Sequence, residues 1–168
     1  MAAAPDAASL HSIRNADRKV DGVTEISGIT TRVRDAASLP DTLATGFDAF
    51  EAVRQVARGC EDRDPALFAA FMTTADAAVD GREAVTIAPA LPPDRRSGAG
   101  VRMPQASVPV EEIAGALAGL GALLADRLAR AAALAATAAD RAACTEAAQA
   151  AGRICQLMAR SDDDSRPW

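Results

Sequence analysis

The 168-residue sequence is poor in the residues that carry most chemistry. It has one histidine (His11), no tyrosine, one tryptophan (Trp168) and three cysteines. With a single histidine, the paired Glu-x-x-His motifs of di-iron bundles are excluded. Ser/His/Asp and Cys/His catalysis would both depend on His11, which lies in a weakly patterned stretch between Ser9 and Ser12. A phosphotransfer bundle would carry its histidine on a bundle helix, and His11 falls before the first clear helix. Zinc clusters need Cys and His at close spacing, and none is present.

Long apolar runs are also missing. The nearest, IAGALAGLGALLA over residues 113–125, is bounded by Glu111-Glu112 and by Asp126-Arg127, so no membrane span is expected. The opening MAAAPDAASLHSIR lacks the basic start and Leu-rich stretch of a secretory signal, which points to a cytoplasmic location. Clustered positive charge is absent, and the formal net charge is −5. Nucleic-acid binding, which needs such charge to displace counterions, is not expected. No Gly-x-x-x-x-Gly-Lys cradle occurs. Ser97-Gly98-Ala99-Gly100 has neither a strand before it nor a clear helix after it.

What the chain has in quantity is alanine, 43 residues of 168. Leu, Ile, Val and Phe together number 32, a thin supply for one core. One domain is expected: a weakly ordered or irregular segment over 1–40, a helical domain over 41–160 interrupted by a loop at 81–109, and an acidic tail at 161–168. Within the first segment GVTEISGITTRVRD, residues 22–35, is rich in Val, Ile and Thr around Ser27-Gly28, which fits a small β-hairpin.

Helical periodicity begins near Asp41, after cap chemistry at Ser38. Leu43, Phe47, Phe50, Val53 and Ala57 share one face, opposite Asp48, Glu51, Gln55 and Arg58. Gly59 reads as the stop. A second helix starts at Asp64-Pro65, carries Leu67, Phe68, Phe71, Met72, Ala75, Ala78 and Val79, and stops at Gly81. The six-residue link predicts an antiparallel pair with all four phenylalanines in the core. Residues 81–109 follow, with five prolines between Pro89 and Pro109. They read as a linker, or as a loop presenting Arg95, Arg96 and Arg102. The residues from 111 onward are helical and Ala-rich, with Ile113, Leu117, Leu120, Leu124, Leu128, Ala131 and Leu134 near heptad spacing. The only candidate break is the Thr137-x-x-Asp140 cap: either a helical hairpin folds here, which would close a four-helix bundle and is the reading adopted, or one helix runs from about 110 to 159, as alanine propensity favours.

The fold class is therefore all-α: an antiparallel four-helix bundle with helices near 41–58, 65–80, 110–136 and 138–160. No cofactor or metal ligand is assigned. The pattern argues against an enzyme and for an interaction or regulatory protein working through helix faces, as a homo-oligomer or with an obligate partner protein. Leu117, Leu120, Leu124, Arg95, Arg96 and Arg102 are its candidate contact residues. The alternative is a thiol-based redox or ligand-binding bundle using Cys60, Cys144 or Cys155. Cys144 and Cys155 share a helix face about 16 Å apart along the axis, too far for a disulfide within one helix.

Overall fold

The computed structural model describes residues 21–96 and 107–163. Among them are five α-helices and no strand: α1 (Asp21–Asp35), α2 (Leu39–Cys60), α3 (Phe68–Thr86), α4 (Val110–Leu134) and α5 (Ala138–Asp163). A single 3-10 turn, Pro93–Arg96, interrupts the long connection between α3 and α4. The helices form a bundle. Helix α2 packs on α3 and α4, α5 packs on α3 and α4, and α1 lies against α2 and α4.

The hairpin expected at 22–35 is not found, because those residues are one helix, α1. Its β-branched residues recur at helical spacing, and Ile26, Ile29 and Val33 enter the core together. Thr30 and Thr31 turn their hydroxyls back to the carbonyls of Ile26 and Ser27, which removes their competition with the helix backbone. The expected weak order of residues 1–20 and most of the acidic tail lie outside the described residues.

Caps read from the sequence are present. The backbone N–H of Asp41 donates to Ser38 Oγ at 3.2 Å, and that hydroxyl donates to Asp41 Oδ2 at 2.6 Å. Thr137 and Asp140 repeat the arrangement at the head of α5, at 3.0 and 2.6 Å. Helix α4 ends at Leu134 and α5 begins at Ala138, so the hairpin holds over the long helix.

Two glycine stops are corrected. Helix α2 continues through Gly59 to Cys60, and α3 runs through Gly81 to Thr86. None of the described glycines has a positive φ, so neither acts as a left-handed terminator. Gly81 instead admits the Phe50 ring, into which a Cβ at that position would intrude. Gly121 does the same for α5: a Cβ there would stand 2.8 Å from the backbone nitrogen of Cys155.

The core holds Phe47, Phe50 and Phe71 but not Phe68. Helix α3 begins three residues later than Pro65, after a turn in which Leu67 N–H bonds Asp64 C=O. Leu67 takes the buried position, and Phe68, one residue further round, is 42% exposed. At the far end of α4 the same drift of phase buries Ala132 and leaves Leu134 exposed.

Candidate functional site

The bundle contains three polar constellations built by its packing. The first joins α2 to α3. Glu51 is buried, and its carboxylate accepts from Arg54 Nε at 3.0 Å, Arg54 Nη2 at 2.5 Å, Gln55 Nε2 at 2.8 Å and Arg82 Nη1 at 2.7 Å. The i, i+3 and i, i+4 spacings bring Arg54 and Gln55 to it along one helix, and Arg82 reaches across from α3. The hydrogen bond from Arg54 holds the Glu51 carboxyl down to about 2, against the opposing push of burial. Arg82 also lies over the Phe47 ring, 6.0 Å from its centre. A carboxylate this fully engaged is a clasp, not a free general base.

The second and third constellations hold the two ends of the long connection. Asp140 is buried and accepts the Ala90 N–H at 2.9 Å as well as the Thr137 hydroxyl. Arg63 donates to the Val108 carbonyl and, at 3.8 Å, to Cys60 Sγ. Leu91 and Val108 are buried beside these ties.

The sequence-predicted contact residues separate. Leu117, Leu120 and Leu124 are fully buried in the monomer core, so they build the bundle that any surface contact must use. The backbone of Arg95 and Arg96 falls in the 3-10 turn. Arg102 lies outside the described residues. The three cysteines do not meet: Cys60 and Cys144 are buried, and Cys155 is half-buried. Burial pushes both the Cys60 and Cys144 thiols up, the opposite of thiolate activation.

The surface shows what the heptad reading missed. A groove of about 340 Å³ runs between α1 and α4. Ile26, Ser27, Thr30, Thr31 and Arg34 line one wall, and Ala116, Gly119, Leu120 and Leu123 line the other. Arg127 donates to the Ala36 carbonyl and fixes the end of α1 against α4. Among the described residues, no atom lies within 4 Å of a Cβ placed at Gly115 or Gly119. Thus the glycines of α4 divide by face, with Gly121 inward and Gly115 and Gly119 outward. The signal was their phase: Gly121 is two residues from Gly119 and so lies on the opposite side.

Among the described residues, no group of three or more His, Cys, Asp or Glu side chains converges to hold a metal ion. No described helix is long and apolar enough to cross a membrane. Comparison with protein-family models, curated proteins and solved structures finds no match.

Proposed function

We propose that the protein is a non-catalytic interaction protein that acts through helix–helix contact, with a second copy of the chain seated on the groove between α1 and α4. The reading takes α2 to α5 as an antiparallel four-helix bundle. The three-residue link 135–137 supports this, as does the approach of Gly121 to Ala151 and Cys155 while Ala129 and Ala132 border Thr145 and Ala148. Helix α1 is then an outer helix that forms one wall of the groove.

The open α1/α4 groove carries the proposal, and charge favours a second copy as its occupant. Glu112 and Arg130 are eighteen residues apart, five full helical turns, so they share one face of α4. Gly119 and Leu123 lie between them, within about 20° of that face. Two α4 helices packed face to face and antiparallel would set Glu112 of each copy against Arg130 of the other, as two-fold symmetry requires. Gly119, with no side chain, permits close approach near the middle of that face. Arg130 is exposed, and its pairing with Asp126, 3.0 Å away within the same helix, is a surface ion pair worth little.

Sedimentation velocity over a wide concentration range tests this. A dimer is expected, weakened by Arg130→Glu and restored when Glu112→Arg is added to it. A monomer at every concentration, or a dimer indifferent to the charge reversal, overturns the proposal.

A further inference from the structure

A second surface, away from the α1/α4 groove, combines an exposed apolar pair with an acidic rim. Phe68 and Met72 are 42% and 38% exposed and stand one turn apart on α3. Beside them a hollow of about 270 Å³ is lined by Glu61, Asp62, Pro65 and Phe68. That volume is below the range of about 300–1,000 Å³ typical of small-molecule sites, so it suits one large side chain rather than a cofactor.

The hollow is built on a fixed turn. Arg63 N–H bonds the Cys60 carbonyl, Leu67 N–H bonds the Asp64 carbonyl, and Ala66 N–H bonds Asp64 Oδ1. Leu67 anchors the turn in the core. Two bases stand near the hollow: Arg58 pairs with Glu61 at 2.9 Å, and Arg63 turns its guanidinium to the Val108 carbonyl and the Cys60 sulfur. Asp64 accepts the Ala66 N–H, so exposed Asp62 is the carboxylate that the rim presents to a partner. An acidic edge around an apolar floor selects a partner of opposite sign with one apolar anchor.

We propose that this hollow docks a segment of a partner protein in which a Leu, Met or Phe side chain stands next to an Arg or Lys. The apolar side chain would lie on Phe68, Pro65 and Met72. The basic group would meet Asp62.

The probe is a phage-displayed random nonapeptide library panned against the full chain. The expected result is enrichment of peptides with a base adjacent to a large apolar residue. A synthetic copy should lose at least tenfold in affinity for the Phe68→Ser/Met72→Ser variant, and should bind more weakly as salt rises. Asp62→Lys, a change at an exposed loop position, should give a similar loss and serves if the double variant does not fold. No enrichment, enrichment without a basic residue, or binding unaffected by these variants overturns the proposal. So does binding that needs residues 97–106 removed, which would assign the hollow to the chain's own Arg102 and Met103. Dimerisation abolished by Phe68→Ser would assign it to a second copy and also overturn the proposal.

Discussion

Gly121 and Cys155 set the approach of α4 to α5: a Cβ added at Gly121 would stand 2.8 Å from the Cys155 backbone nitrogen and 3.0 Å from the Ala151 carbonyl oxygen. Backbone cannot rotate aside as a side chain can, so the helices themselves must separate. Gly121→Ala should therefore destabilise the fold by about 1–3 kcal/mol, the range for overpacked cores. Gly119→Ala, two residues away, meets open space and should stabilise by about 0.5–1 kcal/mol through helix propensity. Urea denaturation of the two variants at low protein concentration checks the opposite signs.

The Glu51 clasp makes stability in acid sensitive to the protonation of its carboxyl group. Its folded value, about 2, lies below the ordinary 4.5. A depressed carboxyl stabilises the fold above its unfolded value and loses that contribution as the pH falls toward its folded value. The loss should therefore run from about pH 4.5 to about pH 2. It amounts to about 3 kcal/mol at most, reduced by the solvent that reaches Arg54 and Arg82, each about one third exposed. Glu51→Gln should lower stability at neutral pH and flatten this part of the acid limb, as read by denaturation at fixed pH steps.

The elements legible in the sequence are those set by local chemistry. Ser38 and Thr137 mark helix starts because their hydroxyls satisfy backbone donors within three residues. The Phe47 and Phe50 stripe follows from period alone. What was not legible depends on distant partners. Gly59 and Gly81 look like stops until α3 and Phe50 are in place, when Gly81 becomes a point of close approach. The Val, Ile and Thr of α1 favour strand in isolation, but α2 and α4 offer a surface for one apolar helix face. Leu117, Leu120 and Leu124 look equally suited to a partner or to a core, because periodicity names the face and not what covers it. The groove needed two helices far apart in sequence, α1 and α4, and no local signal announces such a pairing.

The thiols should react in order of exposure. Cys60 and Cys144 are buried and their thiols are pushed up by that burial, whereas Cys155 is half-buried. Iodoacetamide at pH 8 should modify Cys155 first and leave the other two protected until the chain unfolds. Peptide mapping after timed alkylation reads this directly. Rapid native-state modification of Cys60 or Cys144 would favour the redox alternative over the interaction reading.

Thr74 is a buried hydroxyl with no hydrogen-bond partner among the described residues. Its neighbour Thr73 bonds back to the Ala69 carbonyl at 2.8 Å, as Thr86 does to Arg82. A desolvated hydroxyl without a partner costs about 1–3 kcal/mol. Valine keeps the branched shape and removes the polar atom, so Thr74→Val should raise stability by about 1 kcal/mol. Thr73→Val, at an exposed position, should change it by less than about 0.5 kcal/mol. Thermal or urea unfolding of the pair separates the two.

Gly119→Gln distinguishes a glycine kept for a partner from one without a purpose. Glutamine is a good helix former, and the space above Gly119 is open in the monomer. In an isolated chain the substitution should therefore add about 1 kcal/mol of stability. If a second copy approaches along the Glu112–Gly119–Arg130 face, the long side chain instead holds the helices apart. The expected outcome is a more stable monomer that no longer dimerises, with an unfolding midpoint independent of protein concentration where the parent's rises with it. A stabilised variant that still dimerises would place the contact elsewhere.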